Sequence, residues 1–66
     1  MSTGEKRVRI DFNVTGNDDV TEVKRDTARM INYIEAKGKD PRLTALAMTA
    51  YEEAAMWAVK SLTAEN

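Results

Sequence analysis

The sequence predicts an all-α fold: an antiparallel hairpin of two long helices preceded by an extended N-terminal segment, assembled into a homo-oligomer. Three observations predict it. Residues 18–37 and 41–63 carry apolar positions at three- and four-residue steps, which is helical periodicity. Between them Gly38, Asp40 and Pro41 leave room for only a tight connection. The third is a subtraction. Sixty-six residues form one domain at most, and a chain this short buries only about 60% of its unfolded surface. It has neither cysteine nor histidine, so disulfides and a structural zinc site give no help and association with other copies is the usual remaining source of stability.

The N-terminal segment, residues 1–15, alternates. Val8, Ile10, Phe12 and Val14 fall on one side, and Arg7, Arg9, Asp11 and Asn13 on the other, which is the period-two pattern of an extended arm with one buried face. Met1 to Glu5 reads as a loose terminus ahead of it. Thr15-Gly16-Asn17-Asp18-Asp19 then combines a turn with helix-capping side chains and two acids suited to the positive end of a helix dipole, so the first long helix starts near Asp18. Its apolar stripe is Val20, Val23, Thr27, Met30 and Ile34, widened by Ile31. Ala36-Lys37-Gly38-Lys39 closes it, with Gly38 expected in a left-handed cap.

The second long helix is far more apolar. Arg42, Thr49, Glu53 and Lys60 form one heptad-spaced polar line with Glu52 beside it, while Leu43, Leu46, Ala47, Ala50, Ala54, Trp57 and Ala58 make one apolar arc. Met48, Tyr51, Ala55 and Leu62 extend that arc beyond what one partner helix covers, so the arc is expected to pack on the first helix and the extension on other copies.

Ten basic against eleven acidic residues give a net charge of −1, unlike the basic footprint of a DNA or RNA binder. No apolar run has the length of a membrane span, and residues 1–7 lead into no signal-peptide core; a cytoplasmic location is expected. Without His or Cys, catalysis would rest on Asp, Glu, Lys or Tyr alone. Glu52 and Glu53 are adjacent on a helix and point about 100° apart, so they do not converge on a reacting atom. No Walker, dinucleotide or EF-hand spacing occurs. The expectation is a protein that is not an enzyme and holds no metal or cofactor.

Arg42 is the most suggestive single position. It stands second in a helix whose free N–H groups and dipole favour an anion, where a guanidinium grips phosphate oxygens in bidentate fashion. An arginine exposed in the first turn or paired with Asp40 fits the same position. Lys6, Arg7 and Arg9 add a short basic arm. Lys24, Arg25 and Arg29 with Tyr33 offer cation and aromatic together, yet Glu22 and Asp26 interleave with them at spacings that equally make a salt-bridged helix face.

Asp40-Pro41-Arg42-Leu43-Thr44-Ala45-Leu46-Ala47-Met48-Thr49, followed by Tyr51-Glu52-Glu53-Ala54-Ala55-Met56-Trp57-Ala58, resembles the second helix of the phage anti-CBASS cyclic-oligonucleotide sponges. Some anti-Thoeris sponges share that hairpin. Arg42, Thr49, Glu52 and Met56-Trp57-Ala58 fall in register with the family's pattern, and Val23-Lys24 with an Ile-Arg step of its first helix, so the likeness spans roughly residues 10–63. It implies a homohexamer that binds cyclic di- or trinucleotide signals, or cyclic ADP-ribose-type ones, between protomers in the cytoplasm of an infected bacterial host, without cleaving them. Val20 and Tyr51 depart from the pattern. So does the stretch Asn13 to Asp19, where the family has a proline-rich approach. The additional N-terminal helix of some members is not expected here. Residues and resemblance together nominate Arg42, Lys6, Arg7, Arg9, Phe12 and Lys24 as ligand-binding. The competing expectation is a structural or adaptor hairpin with no nucleotide ligand.

Overall fold

The computed structural model describes residues 2–8 and 18–64. Three helices follow in order: α1, Thr3–Val8; α2, Asp18–Lys37; and α3, Pro41–Leu62. α2 and α3 form the expected antiparallel hairpin, and α1 lies chiefly against α2. Among the described residues there is no strand.

The hairpin's ends are set by local chemistry. Asp40 takes an extended backbone and accepts the Leu43 N–H on its carboxylate at 2.8 Å, with Pro41 at the first helical position. At the other end of α3 the Thr63 N–H and hydroxyl both donate to the Val59 carbonyl, at 3.0 and 2.8 Å. α2 closes with the Gly38 N–H donating to the Ile34 carbonyl at 2.8 Å. Gly38 does not take the left-handed conformation expected of it. Glycine is required there for space: a Cβ would run into the Thr44 hydroxyl and crowd the Ile34 carbonyl where the two helices turn against each other.

The N-terminal segment corrects the expectation of an extended arm and of no additional N-terminal helix. Thr3–Val8 is helical. The Ser2 hydroxyl accepts the Glu5 N–H at 3.2 Å while the Glu5 carboxylate accepts the Ser2 N–H at 3.1 Å, a reciprocal capping box. A helix this short does not persist alone, and α2 holds it. Asn32 accepts the Gly4 N–H at 2.7 Å and donates to the Ser2 hydroxyl at 3.0 Å, so one side chain satisfies a free N–H of the first turn and ties it to α2. Val8 is buried as expected, but from a helix; Ile10, Phe12 and Val14 lie outside the described residues.

The core is small. Among the described residues Val8, Ala28, Ile31, Met48 and Ala55 are the buried apolar side chains, with Ile34 and Tyr51 packed partly against them. Two face assignments change accordingly. On α2 the buried line centres on Ile31, 0% exposed, and Ala28, while Met30 is 48% exposed; because α1 also rests on α2, at Ala28 and Asn32, the buried face turns away from Met30. On α3 the expected order is reversed. Met48 and Ala55 pack into the hairpin with Tyr51 beside them, whereas Leu43, Leu46, Ala50, Ala54 and Trp57 are exposed.

Candidate functional site

Where α1 leans over the hairpin, a groove of about 560 Å³ opens between Arg7 and Val8 of α1, Lys24 of α2, and Thr49, Glu52, Glu53, Ala55, Met56, Val59 and Lys60 of α3. Its construction follows from helical spacing. Glu52, Met56, Val59 and Lys60 recur at three- and four-residue steps, so α3 presents an apolar floor between two charged rims. Val8 reaches this floor because α1 is helical, which also brings Arg7 across to α3.

The charges are arranged in pairs. Arg7 Nη1 lies 3.1 Å from Glu52 Oε2, with both side chains about a third exposed or more, at 32% and 40%. An ion pair in such contact with water contributes at most about 1 kcal/mol, so the guanidinium can exchange its carboxylate for another anion at little cost. Lys60 Nζ stands 5.7 Å from the Trp57 ring centroid, and Trp57 Nε1 donates a long 3.5 Å bond to Glu53. Glu52 and Glu53 thus take different partners, in line with their divergence on the helix. Three cations, Arg7, Lys24 and Lys60, border the groove against two carboxylates, Glu52 and Glu53, and this small cationic surplus over an apolar floor suits a flat, partly apolar anion.

The structure brings together only part of the residue set nominated from sequence. Arg7 and Lys24 share the groove. Lys6 is exposed on α1 outside its lining, and Arg9 and Phe12 lie outside the described residues. Arg42 is exposed at the second position of α3 and pairs with no carboxylate among the described residues. It is ten residues from Glu52, about 15 Å along the helix, and does not border the groove. On α2, Arg29 pairs with Asp26, which favours the salt-bridged reading of that face over a stacking site. Lys60 is not among the nominated residues; the signal for it is its position three residues after Trp57, where a cation meets the ring.

Among the described residues no group of acids converges as metal ligands do, and no helix is long and apolar enough to cross a membrane. A family model described as the Acb2/Tad1 hairpin domain matches residues 4–63. No curated protein and no solved structure matches the chain.

Proposed function

Because the chain belongs to the Acb2/Tad1 hairpin-domain family, that of the anti-CBASS and anti-Thoeris sponges, we propose that it binds cyclic oligonucleotide signals and sequesters them without cleavage. It would act as a phage immune-evasion protein in the cytoplasm of the infected bacterial host, as a homohexamer. The observation that carries this reading is the groove, in which Arg7, Lys24 and Lys60 stand around an apolar floor of Val8, Met56 and Val59. Bases would find apolar surface there and phosphates would find cations. Arg42, Lys6, Arg9 and Phe12 remain in the proposed ligand set with Arg7 and Lys24. Arg42 offers a second anion site at the helix entry.

The experiment is a thermal-shift and calorimetry panel of cyclic di- and trinucleotides and a cyclic ADP-ribose-type ligand, followed by heat release and chromatography of what was bound. A ligand at about a hundred times its Kd adds about 2.7 kcal/mol to apparent stability, and the released nucleotide is expected intact. Cleaved product refutes sequestration. Silence across the panel favours the second reading, a structural or adaptor hairpin, which the exposed side chains of Leu43, Leu46 and Trp57 on α3 support independently.

A further inference from the structure

α1 forms a wall of the groove but is fastened in part from outside it. Its last turn supplies Arg7 and Val8 to the lining, whereas its first turn is tied down elsewhere. Asn32 of α2 accepts the Gly4 N–H at 2.7 Å and donates to the Ser2 hydroxyl at 3.0 Å, and that hydroxyl in turn accepts the Glu5 N–H. Gly4 lies so close to the Ala28 backbone that a Cβ has no room, so the first turn fits in one place. Asn32 itself does not line the groove. It stands eight residues, about 12 Å of helix rise, from Lys24, the residue that α2 gives to the lining. At the other end of α1 the Arg7 link to Glu52 is partly exposed to water, and an anion that takes the guanidinium competes with Glu52 for it. The two attachments therefore respond differently to a ligand: the one through Glu52 weakens and the one through Asn32 stays.

We propose that Asn32 is a positioning residue for the groove: it touches no ligand and acts through α1, by holding Arg7 and Val8 where a ligand meets them. The identity of that ligand rests on the proposed function; the positioning does not. A helix of six residues does not persist unsupported, so without the Asn32 tether Arg7 and Val8 stand in place in only a fraction of the molecules, and the affinity of a groove ligand falls by that fraction. Linkage makes the relation reciprocal. The factor by which a docked α1 raises affinity is the factor by which bound ligand favours the docked α1. A groove ligand therefore slows amide exchange across residues 3–8, although Asn32 lies outside the lining. The chemistry required at position 32 is specific. The Gly4 N–H needs an acceptor and the Ser2 hydroxyl can take one further bond; a carboxylate meets both needs once the hydroxyl turns to donate, whereas an alanine meets neither.

The test compares Asn32→Ala and Asn32→Asp with the wild type in the full chain. Cyclic di-AMP and cyclic di-GMP are the probes, and a probe counts as a groove ligand where Arg7→Gln weakens it. Calorimetry is expected to show such a probe bound at least about fivefold more weakly by N32A and within about twofold of wild type by N32D. Without ligand, amide exchange in N32A is expected to quicken at residues 3–8 and to stay unchanged in α3, and saturating probe to restore the protection. The Met56 and Val59 methyl resonances of the groove floor are expected to shift in ligand-free N32A and to return in N32D. An N32A that binds a groove ligand as tightly as wild type overturns the proposal. So does an N32D that fails to recover binding, or exchange that quickens equally along α2 and α3, which would make Asn32 a general stabiliser of the chain. Where neither probe binds in the groove, the proposed function of the groove fails, and the methyl resonances decide the positioning alone: unmoved Met56 and Val59 in N32A overturn it.

Discussion

Gly4 is where α1 and α2 approach most closely: a Cβ there would fall well inside contact distance of the Ala28 carbonyl. Gly4→Ala is therefore expected to lift α1 from α2 and cost roughly 1–3 kcal/mol, read as a lower Tm and as faster amide exchange confined to residues 3–8. Full protection of those amides in the variant would contradict the packing described. Glu5 adds a pH dependence to the same helix. The hydrogen bonds its carboxylate receives from the Ser2 backbone N–H, and next from Ser2's hydroxyl, hold its pKa below the ordinary glutamate value. A folded pKa below the unfolded one means that the stabilisation is fully present above the ordinary value and is lost as the pH falls through the lowered one. Acid exchange of the α1 amides is expected to accelerate in that window, and Glu5→Gln, which keeps an acceptor oxygen but does not titrate, to remove the pH dependence. The serine and glutamate of this capping box stand three apart in the sequence and are legible as such. The alternation from Arg7 to Val14 is the longer pattern, however, and it points to an extended chain; Asn32, the residue that secures α1, gives no sign of that role in isolation.

The boundaries of α2 and α3 are legible because they rest on local chemistry: Asp18 and Asp19 at one helix start, Asp40-Pro41 at the other, Gly38 between them. Which side of each helix faces inward is not. The apolar arc of α3 covers most of its circumference, so periodicity alone cannot tell Met48, Tyr51 and Ala55 from Leu43, Leu46 and Trp57. Burial is decided by the shape of the partner, and small or flexible side chains fit between closely packed helices where the larger stripe does not. On α2 the same uncertainty concerns neighbours: Met30 and Ile31 both continue the stripe, and it is Ile31 that lies in the core shared with Val8 of α1 and with Met48 and Ala55 of α3. The two faces of α3 should respond differently to truncation. Met48→Ala, which empties part of the hairpin core, is expected to cost about 2–5 kcal/mol at any protein concentration. Leu46→Ala is expected to lower the Tm chiefly in concentrated solution, where association contributes most, and to lose its effect on dilution. Melting both variants across a hundredfold range of concentration separates the faces, and equal, concentration-independent losses would mean that both stripes lie inside a single chain's core.

At the scale of the molecule, the groove and Arg42 are separate cationic places on one helix, Arg42 lying about 10 Å in rise from Thr49 at the near end of the groove and about 15 Å from Glu52. Each has its own reason in the sequence, but nothing in the residue pattern tells that the two do not meet. Arg7 reads as part of a basic arm, and helix formation instead lays it on Glu52; Arg42 stands out for its helix entry, and it remains there, exposed. The two arginines can therefore be removed one at a time. Arg42→Gln keeps the length of the side chain, the Asp40 cap and the α3 stripe, and loses only the guanidinium fork together with a rim charge worth at most about 1 kcal/mol in assembly. If Arg42 holds phosphate in the proposed complex, a charged hydrogen-bonding group worth about 1.5–3 kcal/mol is lost. Affinity for a cyclic trinucleotide should then fall at least tenfold, with gel-filtration volume and Tm without ligand nearly unchanged. Arg7→Gln breaks the link to Glu52 and leaves the helix entry untouched, so trinucleotide affinity should persist while ligands that use the groove lose theirs. Calorimetry on both variants decides between the places: trinucleotide affinity retained in R42Q and lost in R7Q would assign that ligand to the groove and return Arg42 to the role of a surface residue.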